Sequence, residues 1–204
     1  MRLSIDPEGV KGFLAPEEGI RLYELALEAA LLGPCLEVGS YCGKSTVYLG
    51  SACRERQQVL YAVDHHRGSE EHQPGEEYHD PDLFDAAAGR MDSFRAFRAT
   101  MVRADLENFV VPLVTCSELA GRHWRTPLGM VFIDGGHDLE AAVTDYTTWA
   151  PHLCGAGILA IHDIFPDPAD GGRAPHEIYL KALDSGLFEA LNSTLTLGVL
   201  RRLG

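Results

Sequence analysis

Five short apolar stretches, at 35–38, 59–64, 110–116, 129–134 and 157–162, alternate with segments of helical spacing at 16–32, 44–53, 91–106, 139–150 and 175–185. This alternation constrains the fold more than any other feature. Strands that read as continuous apolar runs are covered on both faces, and strands separated by helices run parallel. The expected class is therefore α/β: a Rossmann-like, mostly parallel sheet with helices on both faces. Phe94, Phe97 and Met101 recur at helical spacing and read as core contacts. After the last helix, LFEALNSTLTLGVLRRL reads as two strands joined by a turn at Asn192 and Ser193, an edge hairpin. With 204 residues the chain suits one domain, 1–204, opened by a helical segment over 1–33.

In open α/β sheets ligands bind beyond the carboxyl ends of the strands. The first strand runs there into a turn that opens a helix, Glu37-Val38-Gly39-Ser40-Tyr41-Cys42-Gly43-Lys44-Ser45-Thr46. Small residues in such a turn let backbone amides approach a ligand. A nucleoside triphosphate loop needs G-x-x-x-x-G-K-[ST], and here Val38 stands where the first glycine belongs, so the turn is one residue short. The stretch VFIDGG has the form of the magnesium-side aspartate of such enzymes. Glu37, however, would set an anion against bound phosphates. S-adenosylmethionine has no phosphate, and its sulfonium and amino groups are cationic, so Glu37 suits that cofactor. Gly39, Ser40, Gly43 and Ser45 of the turn join Glu37 in the expected cofactor site. Asp64 ends the second strand, where a carboxylate accepts from ribose hydroxyls; His65 follows it, and Ser117, past the third strand, falls where the adenine would lie.

Residues 65–85 break the rhythm, with four histidines, seven carboxylates and one basic residue, too polar for core. Their start at a strand end favours a lid or substrate loop, 65–90, over a plain solvated loop. A net charge of −13 would repel nucleic acid and anionic membrane surfaces, and neither is an expected partner. No apolar run nears the roughly 20 residues of a membrane span, and the first residues lack a secretory pattern, so a cytoplasmic protein is expected. Five cysteines without a C-x-x-C pair argue against a disulfide framework or a zinc knuckle. The expected partner is a small-molecule acceptor, with homo-oligomer assembly left open.

The order LEVGSYCGKST, YAVDHH, then VFIDGGHDLEAAVTDYTTWAPHLCGAGILAIHDIF resembles the class I S-adenosylmethionine-dependent methyltransferases of the small bacterial type that includes macrolide-sugar O-methyltransferases. The resemblance implies a seven-stranded sheet of order 3-2-1-4-5-7-6 with the last strand antiparallel. It implies Glu37 and Gly39 at the methionine part and Asp64 at the ribose. It further implies Asp134 and Asp163 as divalent-metal ligands and His137 as general base, with Asp134 shared by the catalytic, cofactor and metal sites. His162 departs from the pattern, standing where those relatives often carry a second carboxylate; it is a third candidate ligand. Oxygens alone favour magnesium, while a histidine shifts the preference toward manganese, iron or zinc. The resulting expectation is O-methylation of a small hydroxylated molecule, a sugar or secondary metabolite, assisted by a divalent metal. Two other classes remain compatible with the sequence: a P-loop-like nucleotide hydrolase, and a non-catalytic Rossmann-like protein that binds a cofactor or metal. A purely structural role for these residues is also open: Asp134 and His137 would cap the helix that begins near Asp138, and Asp163 would hold the loop after the fifth strand.

Overall fold

A computed structural model describes residues 1–68, 80–136, 138–165, 167 and 173–204. The elements run α1 (Pro16–Ala29), β1 (Cys35–Val38), α2 (Lys44–Glu55), β2 (Leu60–Val63), β3 (Phe84–Asp85), β4 (Arg90–Met91) and α3 (Phe94–Arg103), then β5 (Val110–Leu113), α4 (Ser117–Gly121), β6 (Leu128–Ile133), α5 (Leu139–Trp149), β7 (Leu153–Ile161), α6 (Arg173–Asp184), β8 (Phe188–Ala190) and β9 (Gly198–Arg202). Seven strands form one sheet in the order β5-β2-β1-β6-β7-β9-β8, while β3 and β4 make a separate two-stranded ribbon. Counting only strands of the large sheet, this is 3-2-1-4-5-7-6. The strands β5, β2, β1, β6 and β7 pair in parallel, and β9 lies antiparallel to both β7 and β8.

The period-two alternation of strand side chains divides the interior into two cores. Met130 and Phe132 of β6 point into a cluster with α1, α2 and α3, where Phe97 and Met101 sit as expected; their neighbours Val131 and Ile133 point into a second cluster with Tyr146 and Trp149 of α5 and Ile178 of α6. Burial on both faces is what let these strands read as unbroken apolar runs. Among the described residues no helix is long and apolar enough to cross a membrane.

Several boundaries differ from the sequence reading. The first helix stops at Ala29 rather than 32, and Leu31 and Leu32 are exposed beyond it. The third strand is cut to Val110–Leu113 because it is a sheet edge and Thr115 N–H turns back to the Leu113 carbonyl. The third helix starts at Phe94, since Met91 is taken by the ribbon and the Asp92 carboxylate accepts from Phe94 N–H. The fifth strand begins earlier, at Leu153, across a bulge opposite Leu128 and Met130. The edge hairpin exists, but its tight turn is Thr194 to Leu197, bonded in both directions, and not Asn192-Ser193. Helix α4 was not foreseen. Only 16–29 of the opening segment is α-helical; a 3-10 turn at Pro7–Gly9 precedes it. In the segment expected to be a lid, 80–91 carries a 3-10 turn and the ribbon, and 69–79, with His72 and His79, lies outside the described residues.

Candidate active site

The carboxyl ends of β1, β2, β6 and β7 open into a cleft of about 890 Å³. Gly39, Ser40, Ser45, Asp64, His65, Ser117, Asp134, His162 and Asp163 all line it. Residues so distant in sequence converge because parallel strands deliver their trailing loops to one edge. The opening segment contributes a wall that the sequence did not disclose: Lys11, Gly12, Phe13 and Leu14 also face the cleft. Lys11 is tied there to Asp80 and Asp82, and Lys44 to Glu8, by ion pairs at 2.5, 2.9 and 3.0 Å.

The glycine turn is built on two carboxylates. Asp64 accepts from the backbone N–H groups of Ser40, Tyr41 and His66 at 3.0, 2.8 and 2.6 Å, fastening the turn to the end of β2. Glu37 supports it from beneath. Its side chain is wholly buried, outside the cleft wall, and its two oxygens accept the hydroxyls of Ser45 and Thr46 at 2.5 and 2.6 Å. The carboxylate expected to face the cofactor directly is instead a brace for the start of α2. Gly43 likewise turns from the cleft: its backbone is left-handed at φ 94°, and an added Cβ would meet Met101, Thr100 and Phe97 of α3. The Ser40 hydroxyl, in contrast, is buried at the cleft and has no hydrogen-bond partner among the described residues.

Burial pushes the Glu37 carboxyl from its ordinary 4.5 up to about 8, against the opposing pull of the Ser45 and Thr46 hydroxyls. The folded protein therefore keeps this proton over a range where the unfolded chain releases it. Raising the pH from 4.5 to about 8 then favours unfolding, by an amount on the order of a few kcal/mol. Thermal unfolding across this range should show Glu37→Gln losing that decline relative to the parent; equal slopes would mean that Glu37 ionises freely when folded.

At the ends of β6 and β7, His162 Nδ1 lies 3.0 Å from Asp134 and 3.4 Å from Asp163, and its Nε2 lies 2.9 Å from Glu18 of α1. Glu18 is itself fixed by Thr196, which donates both N–H and hydroxyl to it at 2.9 and 2.7 Å. Burial alone would lower the His162 pKa, but Asp134, Asp163 and Glu18 outweigh it and raise the pKa well above 6.5. Potential ligand atoms of Asp134, His162 and Asp163 all lie within 4.8 Å of one another. A carboxylate behind the imidazole fixes which nitrogen faces the two aspartates, an arrangement common behind metal-bound histidines. With the Nδ1 proton released, this donor set fits a divalent cation, whose charge would take the proton's place between the two aspartates. Helix capping is performed by Asp138, which accepts from Ala141 N–H at 3.0 Å, so Asp134 is not the cap. His137 lies outside the described residues.

Two histidines expected in the polar loop have separate fates. His65 lines the cleft; His66 is 2 % exposed, bonded to Ser93 at 2.8 Å and packed against Phe94 and Phe97. His66 is thus a core residue, which the acidity of its neighbours concealed.

The family described as a methyltransferase domain matches residues 36–164, the span that carries the glycine turn, Asp64, Asp134, His162 and Asp163. The chain belongs to this methyltransferase family. The nucleotide-hydrolase alternative falls with that match. As a methyltransferase dependent on S-adenosylmethionine, the protein uses the Rossmann-like sheet seen in related structures. It is similar to the O-methyltransferase NovP (15% identity, TM-score 0.69, 92% of this chain and 80% of that one). It also resembles the O-methyltransferase from Bacillus cereus in complex with SAH (14%, 0.63, 94% and 83%). A third likeness is to the O-methyltransferase TomG from Streptomyces achromogenes, in complex with SAM and involved in tomaymycin synthesis (15%, 0.60, 94% and 82%). At these identities the likeness concerns the fold. Sequence reasoning missed Glu18 and Asp145 in the methyltransferase site; the PEEG opening of α1 was the only local sign of Glu18, and it reads as an ordinary acidic first turn.

Proposed function

We propose that this methyltransferase moves a methyl group from S-adenosylmethionine to a hydroxyl of a small molecule, a sugar or other secondary metabolite, with a divalent cation held by Asp134, His162 and Asp163. The observation that carries the reading is the Asp134–His162–Asp163 cluster opening onto the same cleft as the glycine turn. The similar structures that are named O-methyltransferases support oxygen as the acceptor atom. The unpartnered Ser40 hydroxyl supports a polar ligand beside the turn.

In the transfer an oxygen lone pair attacks the methyl carbon, the carbon–sulfur bond breaks onto sulfur, and a neutral thioether leaves. Asp64 and the turn it fastens hold the donor, with Ser40, Ser45 and His65 beside it. Asp134 and Asp163 orient the acceptor, and Glu18 keeps the His162 ring from turning. A bound divalent cation would acidify the acceptor hydroxyl. The hydroxyl proton is assigned to His137, three residues after Asp134, on its place in the sequence.

Calorimetry should show S-adenosylhomocysteine binding and no comparable binding of ATP with magnesium. Asp134→Asn should lose metal-dependent turnover with little change in that affinity, because the glycine turn is untouched. Turnover that survives both chelation and Asp134→Asn would sink the metal-assisted reading.

A further inference from the structure

We propose that Lys11 is a positioning residue for donor binding: it clasps the opening segment to the β3–β4 ribbon over the outer side of the glycine turn, and so holds Tyr41 in place. The assignment rests on the methyl-donor reading above. The opening segment is anchored twice before it reaches the cleft. The Arg54 guanidinium donates to the Arg2 carbonyl at 3.2 Å and to the Ser4 hydroxyl at 2.9 Å, and Glu8 pairs with Lys44 at the start of α2. Val10 then packs with Cys42 of the turn and with Leu83 and Met91 of the ribbon in a third, small core, against which Tyr41 also rests. Segment, turn and ribbon thus form one layer, separate from the two main cores. Lys11 fastens that layer at its surface, its ammonium 2.5 Å from Asp80 and 2.9 Å from Asp82.

Tyr41 is the part of the turn that needs holding. Its φ is 45°, a left-handed conformation that is unfavourable for any residue with a Cβ. It lines the cleft beside Ser40, and on one side the Asp64 carboxylate fixes its N–H at 2.8 Å. On the other side its ring meets that of Phe13, two residues beyond Lys11, with centroids 6.1 Å apart. The Lys11 side chain is 46 % exposed and that of Asp82 79 %, and ion pairs so open to water add little to the stability of a whole fold. Their effect is local: they set how often the layer lifts from the turn. Each lifting frees Tyr41 to relax and carries the neighbouring Ser40 away from the donor.

Lys11→Met removes the charge and keeps nearly the length of the side chain. With S-adenosylhomocysteine as the probe, calorimetry should show binding weakened by about 3- to 10-fold, the size of one or two exposed ion pairs. Stopped-flow mixing should place the loss in faster dissociation. Lys11→Arg should restore parental binding, since a guanidinium also reaches two carboxylates. Added sodium chloride should weaken binding to the parent more than to Lys11→Met, because salt screens exposed pairs. Amide exchange without any ligand reports the clasp itself. Val10 N–H, bonded to the Pro7 carbonyl at 2.9 Å, and Asp92 N–H, bonded to the Leu83 carbonyl at 2.7 Å, should both exchange faster in Lys11→Met, while β1 and β6 keep parental rates. If the parent binds the thioether and Lys11→Met binds it equally tightly with the same salt dependence, Lys11 makes only surface ion pairs and the proposal is overturned. Weakened binding that Lys11→Arg fails to recover, or a ribbon that exchanges at the parental rate, overturns it too. A parent that binds no S-adenosylhomocysteine is instead the failure of the methyl-donor reading, and the role of Lys11 falls with it.

Discussion

Gly39→Val should lower the melting temperature by several degrees or more and abolish S-adenosylhomocysteine binding together. Gly39 has φ 83°, a left-handed conformation that costs a side-chain-bearing residue roughly 1–2 kcal/mol. Steric overlap costs more: a Cβ would stand 2.0 Å from the carbonyl oxygen of Asp134 and 2.6 Å from its carbonyl carbon. Neither backbone can easily retreat. Gly39 N–H is bonded to Val63 O at 3.0 Å, and Asp134 N–H to Val38 O at 2.9 Å. The sequence pattern alone requires this glycine for the approach of a ligand and leads to the expectation of a folded but non-binding variant. The structure gives the space to the neighbouring strand end, so fold and metal-side aspartate are disturbed at once. Ser40→Ala, which leaves the backbone alone, is the cleaner probe of cofactor contact. A Gly39→Val protein that melts like its parent would show that the ends of β1 and β6 are free to part.

The sheet was legible because its physics is local. Leu36, Val38, Val131 and Ile133 are buried on one face while Cys35, Met130 and Phe132 are buried on the other, and such strands spell apolar runs between helical periods. Strand order is not local, and it came only with the family resemblance. In the site, Asp64, Asp134 and Asp163 were visible because acids ending apolar strands sit at the ligand edge of this architecture. The residues that hold them were hidden for reasons of tertiary packing. Asp145 stands three residues after Ala142 and four before Trp149, on the buried face of its helix, but an acid in LEAAVTDYTTW reads as solvated; the space left by Gly135, outside the sequence pattern of the helix, admits it. Glu37 shows the reverse error. Its charge and place pointed to a ligand contact, yet hydroxyls eight and nine residues on take both of its oxygens.

Glu18 is the hidden residue with the largest expected effect. Its carboxylate accepts from Ala15 N–H at 3.2 Å, Thr196 N–H at 2.9 Å and Thr196 hydroxyl at 2.7 Å, and it faces His162 Nε2 at 2.9 Å. It thereby joins α1, the end of β7 and the approach to β9. Both partners are buried, Glu18 at 2 % and His162 at 6 % exposure, so removing one strands a charge without solvent. Breaking a buried pair of this kind costs about 3–5 kcal/mol. Glu18→Ala should show that loss in denaturant unfolding, and Glu18→Gln, which preserves size, a smaller one. The pH dependence has two limbs. Burial disfavours the Glu18 charge, but His162 and Thr196 overcome it and lower its pKa, so its contribution is present above 4.5 and lost as pH falls through the folded value. The raised His162 pKa gives a contribution fully present below 6.5 and lost as pH rises toward the folded value. The pair should stabilise most between about pH 4.5 and 6.5, and Glu18→Gln should flatten the acid limb. Turnover should drop more than donor affinity, since the ring that faces Asp134 and Asp163 loses its anchor while Asp64 and the glycine turn keep theirs. Wild-type stability in Glu18→Ala, together with unaltered turnover, would mean that the imidazole is positioned by the two aspartates alone.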